Sequence, residues 1–413
     1  MLARYAGAEN REEAVAVLET EVAVVGAGAA GLSLAHRLSE ALPGARTPSV
    51  VLVGAPPGPL RPPRRTWCFW ESGQGRYDAA VSATWRRLRV RPPAGGPVED
   101  DITPLRYKMI RSDDFEYLVS RDLAERPAVR RLEATVETVE DVPGGAHVHL
   151  RGTDGRPRVL RARWVFDSRP PGSLPAARTT LLQHFHGWYV RTERPVFDPT
   201  TADLMDFRTP QPDRGLSFGY VLPVGRHEAL VEYTEFSPHP LSADAYRAAV
   251  RHYAEEVLRL GELEVRSTET GVIPMTDAPM PRRTGASVFR IGAAGGATRP
   301  STGYTFAGLQ RQTRAVAAAL RRGRRPVPPP AHPARSRAMD AVLLRALDSG
   351  RADGPELFSR LFARVPMRRL LLFLDGRTRL HQDLAIGLRT PVGPMLRSAL
   401  ELPGLPRRPF DTP

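Results

Sequence analysis

Two glycine-rich segments carry the residue types and spacing best suited to binding chemistry in this 413-residue chain. The first, Gly26-Ala27-Gly28-Ala29-Ala30-Gly31, follows the apolar run Glu21 to Val25 and precedes Leu32 to Leu38. The latter has apolar residues at helical spacing and is stopped by Pro43 and Gly44. Ser49 to Val53 reads as a second strand, so the glycines sit inside a βαβ unit over residues 21–53. In that context glycines let the backbone approach a pyrophosphate, and the helix N-terminus offers unpaired N–H groups to its charge. Gly26, Gly28, Ala29 and Gly31 are therefore expected to hold a dinucleotide; the competing reading is a glycine turn that only packs helix on strand. The second strand ends Val53-Gly54-Ala55, without the acidic residue that usually holds the ribose hydroxyls.

The second segment runs from Arg290 to Tyr304, with Gly292, Gly295, Gly296 and Gly303 after the apolar strand Val288 to Ile291 and before a helix over Gly308 to Leu320. A strand, loop and helix returning so far along the chain favour a flavin over NAD, because two-domain flavoproteins bring such a return beside the first unit. Gly292, Gly295, Pro300, Thr302, Gly303 and Tyr304 are the expected contacts. An Asp often follows the first glycine in those proteins, whereas here Ala293 stands there.

Two further groupings are weaker. His184 and His186 share one face of a strand but have no third ligand nearby, so packing or hydrogen bonding is expected and no metal. Asp167 and Arg169 are expected to form a structural ion pair.

Around these segments the chain alternates short elements. Residues 1–19 read as a loose leader without the basic-then-apolar order of a signal peptide. Trp164 to Asp167 reads as a strand, as do Leu181 to Val190, Ser217 to Leu222 and Ala229 to Thr234; Asp244 to Leu260 reads as a helix. Residues 321–333 form an Arg/Pro linker, and the remainder is helical up to a proline-rich tail. The implied organisation is 20–180 and 286–325 as the two parts of a dinucleotide-binding body, 181–285 as a β-rich substrate domain, and 326–413 as a helical region.

No apolar run reaches the roughly 20 residues needed to cross a bilayer, and the single cysteine, Cys68, can form no internal disulfide. Both point to the cytoplasm. The net charge of +14 and the pI near 10.7 raise nucleic-acid binding, but the arginines are scattered from Arg4 to Arg408 and form no patch. The charge remains compatible with affinity for anionic lipid surfaces.

Six segments resemble the bacterial lycopene β-cyclases: Val24 to Ser33, Arg65-Thr66-Trp67-Cys68-Phe69-Trp70, Phe166 to Pro170, Gln183-His184-Phe185-His186-Gly187-Trp188, Val231-Glu232-Tyr233-Thr234 and Arg299 to Tyr304. They occur in the family's order, and Thr66 to Trp70 is the most discriminating. The resemblance implies an α/β fold: an FAD-binding Rossmann-type domain, glutathione-reductase or hydroxybenzoate-hydroxylase-like, with an inserted β-sheet substrate domain and a helical C-terminal part. It further implies redox-neutral closure of β-ionone rings at the ψ ends of lycopene with reduced FAD, NAD(P)H being the expected reductant. Alternatives on the same fold are an FAD-dependent monooxygenase or prenyl reductase. A third reading is a basic binding protein with a vestigial cofactor site.

By that resemblance Glu232 is the expected catalytic acid. The family's short acidic motif has a second carboxylate where this chain has Tyr233, and Glu235 would share Tyr233's face of a strand. A single carboxylate is thus expected to do the acid–base work. Trp67, Trp70, Trp188 and Tyr304 are candidate walls of a polyene tunnel. The amphipathic stretch Leu357 to Val365, continued by Leu370 to Leu374, is expected first to pack on the body and second to lie on a membrane face, the peripheral location that a lipid-soluble substrate implies.

Overall fold

In the computed structural model, which describes residues 16–410 apart from 42 and 45, the apolar run ending at Val25 lies at the centre of a mainly parallel sheet. In chain order the strands are β1 (Ala16–Val25), β2 (Val50–Gly54), β3 (Thr66–Ser72), β4 (Val81–Trp85), β5 (Arg87–Arg91), β6 (Val98–Asp101), β7 (Leu105–Arg111) and β8 (Val129–Val142). They continue as β9 (Gly145–Gly152), β10 (Pro157–Asp167), β11 (Thr180–Thr192), β12 (Thr201–Asp206), β13 (Leu216–Pro223), β14 (Glu228–Ser237), β15 (Leu263–Thr276) and β16 (Val288–Arg290). The α-helices are α1 (Ala29–Leu38), α2 (Ser112–Ala124), α3 (Ala243–His252), α4 (Phe306–Arg321), α5 (Ala334–Asp348), α6 (Gly354–Arg364), α7 (Met367–Leu374), α8 (Leu380–Gly387) and α9 (Val392–Glu401).

Strands β8, β2, β1, β10 and β16 run parallel in that order, and β9 pairs antiparallel with β8 and with the first half of β10. Buried on both faces, the parallel strands are continuous apolar runs such as Val22 to Val25 and Val50 to Val53. Helices α1 and α4 cover one face through Leu32, Leu34, Phe306 and Leu309. This is the expected Rossmann-type layer, with its return at β16 and α4. Strand β1 starts inside the span read as a leader, because Ala16 to Thr20 pair with Arg158 to Ala162 of β10, a partnership 142 residues away in register. Residues 1–15 of that leader lie outside the described residues.

A second sheet of seven strands has the order β15-β11-β14-β13-β12-β5-β6. Its β5 and β6 come from residues 87–101, inside the span read as the first part of the cofactor body, so the substrate sheet takes strands from both sides of residue 181. One face is closed by α3 and the segment after it, through Trp188, Val231, Tyr233, Val250 and Tyr253. The other turns inward, where Leu230 and Leu181 share a core with Leu344 of α5 and Met367 of α7. The stretch Leu357 to Leu374 packs on the body: Leu357, Leu370 and Leu371 are buried, and Phe358 and Phe362 lie against that core. No helix among the described residues is long and apolar enough to cross a membrane.

Candidate active site

The two glycine turns meet at one end of a cavity of about 2590 Å³, which passes the inner face of β14 and β15 and continues to α8 and α9. Gly26 has φ +94°, and a Cβ there would lie 2.4 Å from Ser168 Oγ, whose hydroxyl donates to the Val25 carbonyl at 2.8 Å. A side chain at Gly31 would strike the Gly26 carbonyl oxygen at 1.8 Å, so Gly31 seats α1 on the turn and does not line the cavity. Gly28 caps α1 with nothing within 4 Å of its Cβ direction, and neither a side-chain cap nor an acidic residue occupies the first turn. The turn thus presents bare N–H groups to the cavity, as an anionic pyrophosphate requires. Gly292 packs against this turn: its Cβ would sit 2.8 Å from Ala30 Cβ, and its N–H donates to buried Gln312 Oε1 at 3.1 Å.

Beyond Gly292 and Gly295, the segment Pro300 to Tyr304 lines the same cavity. It is pinned by Arg299, which is 1% exposed, contacts Asp340 of α5 at 2.8 Å and donates to the Leu374 carbonyl at 3.0 Å. Ser301 Oγ donates to the same carboxylate at 2.7 Å. Thr302 Oγ1 is buried without a hydrogen-bond partner among the described residues, as is Gln183 Oε1. Such atoms normally find partners, and both residues line the cavity, so the loop fits a polar ligand.

Deeper in, Glu232 lies on β14 and is 6% exposed; its Oε1 accepts a hydrogen bond from Thr234 Oγ1 at 2.7 Å. A second carboxylate, Glu269 on β15, is 8% exposed and lines the same cavity. Both residues stand opposite Gly187 in the sheet, one on each side. Directly opposed residues point to one face, so the two carboxyls project inward together with only a hydrogen between them on β11. Burial first, and then the negative charge of Glu269, push the Glu232 carboxyl up to about 8. Burial also raises Glu269, against Thr66 and Tyr189, which donate to its Oε2 at 2.6 and 3.4 Å, and the charges of Arg111 and Arg65. The pair therefore favours one proton held on Glu232 over two free charges.

The strand also reads as expected at Glu235, which shares a face with Tyr233 and accepts its phenolic hydrogen bond at 2.6 Å, away from Glu232. Opposite Glu232 on β13 is Tyr220, whose hydroxyl meets that of Tyr107 at 2.5 Å; Tyr107 meets Tyr304 at 2.7 Å. Burial holds all three phenols protonated, and it raises the neighbouring Cys68 thiol to about 12, so none supplies an anion. The chain of hydroxyls runs from β13, the strand beside Glu232, to the second glycine loop.

The tryptophans divide three ways. Trp67 lines the cavity, stacked on Phe306 at 5.9 Å. Trp70 stands behind it as an edge-on support of Tyr304 at 4.8 Å. Trp188 is a correction: it shares the parity of His184 and His186 and is buried under α3, on the sheet face opposite Glu232, where its Nε1 donates to His186 Nε2 at 3.2 Å. The histidines hydrogen-bond within that layer, His184 to Ser237 and Tyr246 at 2.7 and 2.8 Å and His186 to Thr270 at 2.7 Å. Asp167 and Arg169 form their ion pair at 2.8 Å, and Arg169 also donates to the Val136 carbonyl.

Two acidic residues were missed in the sequence. Glu269 lies in a strand whose first half is mostly exposed, so its one buried carboxylate reads like its solvent-facing neighbours. Glu133 of β8 stands in register with Gly54, the end of β2, and lines the cavity edge where the expected ribose acid is absent.

The fold recurs in solved structures of low identity. A geranylgeranyl bacteriochlorophyll reductase-like protein of Thermoplasma acidophilum aligns over 94% of this chain and 100% of its own, at TM-score 0.61 and 12% identity. The p-nitrophenol 4-monooxygenase PnpA of Pseudomonas putida aligns over 95% and 100%, at 0.57 and 16%. The flavin-dependent monooxygenase PieE, solved with FAD and substrate, aligns over 94% and 72%, at 0.57 and 13%. No curated protein matches the sequence. The profile of the lycopene cyclase proteins, however, matches residues 21–400, and the chain belongs to that family.

Proposed function

We propose that the protein is a lycopene β-cyclase, closing β-ionone rings at the ψ ends of lycopene by acid–base chemistry with no net oxidation or reduction. The observation that carries this reading is the buried Glu232–Glu269 pair, which keeps a carboxylic acid protonated near neutral pH inside an apolar cavity. Protonation of an alkene carbon needs such an acid, and the carbocation that results needs a dry enclosure. Glu232 delivers the proton; Glu269, held by Thr66 and Tyr189, supplies the negative charge that later draws a proton from the ring. Trp67 offers an aromatic face to the positive charge.

The cofactor is FAD in its reduced form, with NAD(P)H as the ultimate reductant. Gly26, Gly28, Ala29 and Gly292 form the pyrophosphate cradle, and Pro300, Thr302, Gly303 and Tyr304 form the loop beside the ring system. Glu133 takes the ribose role that β2 leaves open. When bound, reduced flavin supplies electron density that stabilises cationic character in the adjoining cavity. PieE, a protein of this fold, holds FAD and substrate together, which supports one cavity serving both ligands.

The test is anaerobic incubation of the protein with reduced FAD and lycopene in liposomes. The expected product is cyclic and of unchanged mass. A product heavier by oxygen or by hydrogen overturns the reading in favour of a monooxygenase or prenyl reductase.

A further inference from the structure

We propose that α8 and α9 form a lipid-docking ridge that seats the protein on an anionic bilayer at the mouth of its cavity. Every fourth residue from Leu380 to Leu400 is a large aliphatic one: Leu380, Leu384, Leu388, Val392, Leu396 and Leu400. Spacing of four keeps successive side chains on nearly one face of each helix. All six are exposed, from 49% at Val392 to 74% at Leu400, and they make up six of the thirteen exposed large hydrophobics among the described residues. A contiguous apolar ridge of this kind marks an interaction surface, because a monomer in water gains nothing by showing it.

The charges around the ridge identify the occupant. Between residues 376 and 400 the exposed charged residues are Arg377, Arg379, Arg389 and Arg397. The single carboxylate of that span, Asp383, is buried and paired with Arg335 at 2.8 Å. Aliphatic side chains flanked by arginines match the boundary between acyl chains and anionic headgroups. The same arginines, on a chain of net charge +14, oppose a second copy of this protein as the partner. Helices of 8 and 10 residues are too short to span a bilayer and suit lying in its surface.

The ridge is continuous with the site. Leu380, Leu384, Leu388 and Leu396 line the cavity that contains Glu232 and Glu269, so a hydrocarbon could pass from lipid to the carboxylates without crossing water. That passage rests on the cyclase reading; the docking surface rests on the ridge and its arginines alone.

The experiment sediments the full-length, FAD-loaded protein with phosphatidylcholine vesicles containing about 30% phosphatidylglycerol, a charge density typical of anionic leaflets. The wild type is expected to partition to these vesicles and more weakly to pure phosphatidylcholine. The triple variant Leu384→Glu, Leu388→Glu, Leu396→Glu is expected to lose at least about tenfold in partition coefficient, the effect of burying charge at the interface, while keeping its circular dichroism spectrum. Should that variant fail to fold, Leu388→Trp gives the same answer by its emission, which shifts to the blue on vesicle binding if the ridge inserts and stays unshifted if it does not. Equal partition of wild type and triple variant overturns the proposal. So does a stable wild-type dimer, in the absence of vesicles, that the substitutions dissolve. Vesicle binding without cyclisation removes the proposed reaction and leaves docking intact; cyclisation of detergent-dispersed lycopene without vesicle binding does the reverse.

Discussion

Glu232 and Glu269 stand on either side of Gly187, each directly opposite it in the seven-stranded sheet, so that two carboxyls from non-adjacent strands share one buried face. Neighbouring strands are about 4.8 Å apart, which places the two Cα atoms roughly 10 Å from each other, and the glycine leaves the space between their side chains free. The consequence is electrostatic: one proton is retained where two ionised groups would repel each other in a water-poor site.

The first prediction concerns pH. If Glu232 must carry the proton, kcat falls as pH rises through its raised value near 8. Glu269→Gln removes the neighbouring charge that helps to raise Glu232, so the alkaline limb of the residual activity moves to lower pH. A change in kcat with the limb unmoved would show that Glu269 acts only as structure.

Stability carries the same signature, falling with rising pH over the same window as activity. Glu232 binds its proton more tightly in the folded chain than in the unfolded one, so its contribution is complete below the ordinary glutamate range and is lost as pH rises through about 8. Glu232→Gln never ionises. Relative to wild type it should gain about 1.4 kcal/mol for each pH unit within that window, as denaturant titrations at pH 5 and pH 8 would measure; a pH-independent difference contradicts the burial of a titrating acid.

Gly187→Ala probes the gap itself. The added Cβ would lie 2.9 Å from Leu230 Cδ1 and 3.4 Å from Glu232 Cβ. Overpacking of this kind costs about 1–3 kcal/mol, and displacement of Glu232 should lower kcat more than KM changes. Unaltered kcat would mean that the carboxyl spacing is not critical.

The glycines of the first turn separate ligand contact from folding. Gly28→Ala meets no atom within 4 Å and should leave unfolding within about 1 kcal/mol of wild type while weakening FAD binding at least about tenfold. Gly31→Ala collides with the Gly26 carbonyl and should damage folding itself. Equal FAD affinity of Gly28→Ala and wild type would remove the pyrophosphate assignment.

The fold was legible where local pattern and tertiary role agree. Val22 to Val25, the glycine turn and α1 form one short-range unit, and the return at β16 carries its own glycines. Strand β15 was hidden because it is an edge strand: Leu263 to Thr270 is mostly exposed, so no buried face imposes alternation on its sequence. Glu269 was hidden with it, since its pairing with Glu232 arises from two strands meeting a third. Parity did separate Tyr233 and Glu235 from Glu232, and it also groups Trp188 with His184 and His186. Which of those faces turns inward is set by α3 packing on the other one, a tertiary choice the alternation does not record. Residues 87–101 join the substrate sheet by pairing with β12, more than a hundred positions away.

The central claim is that Glu232 donates a solvent-derived proton to carbon in a reaction with no net redox change. Anaerobic turnover of lycopene with reduced FAD in D₂O, followed by mass spectrometry of the carotene, tests it most directly. The account predicts one deuterium per ring formed in the wild type, and no cyclic product from Glu232→Gln that still binds FAD. Rings formed without deuterium, or by the Glu232→Gln variant at the wild-type rate, would contradict it.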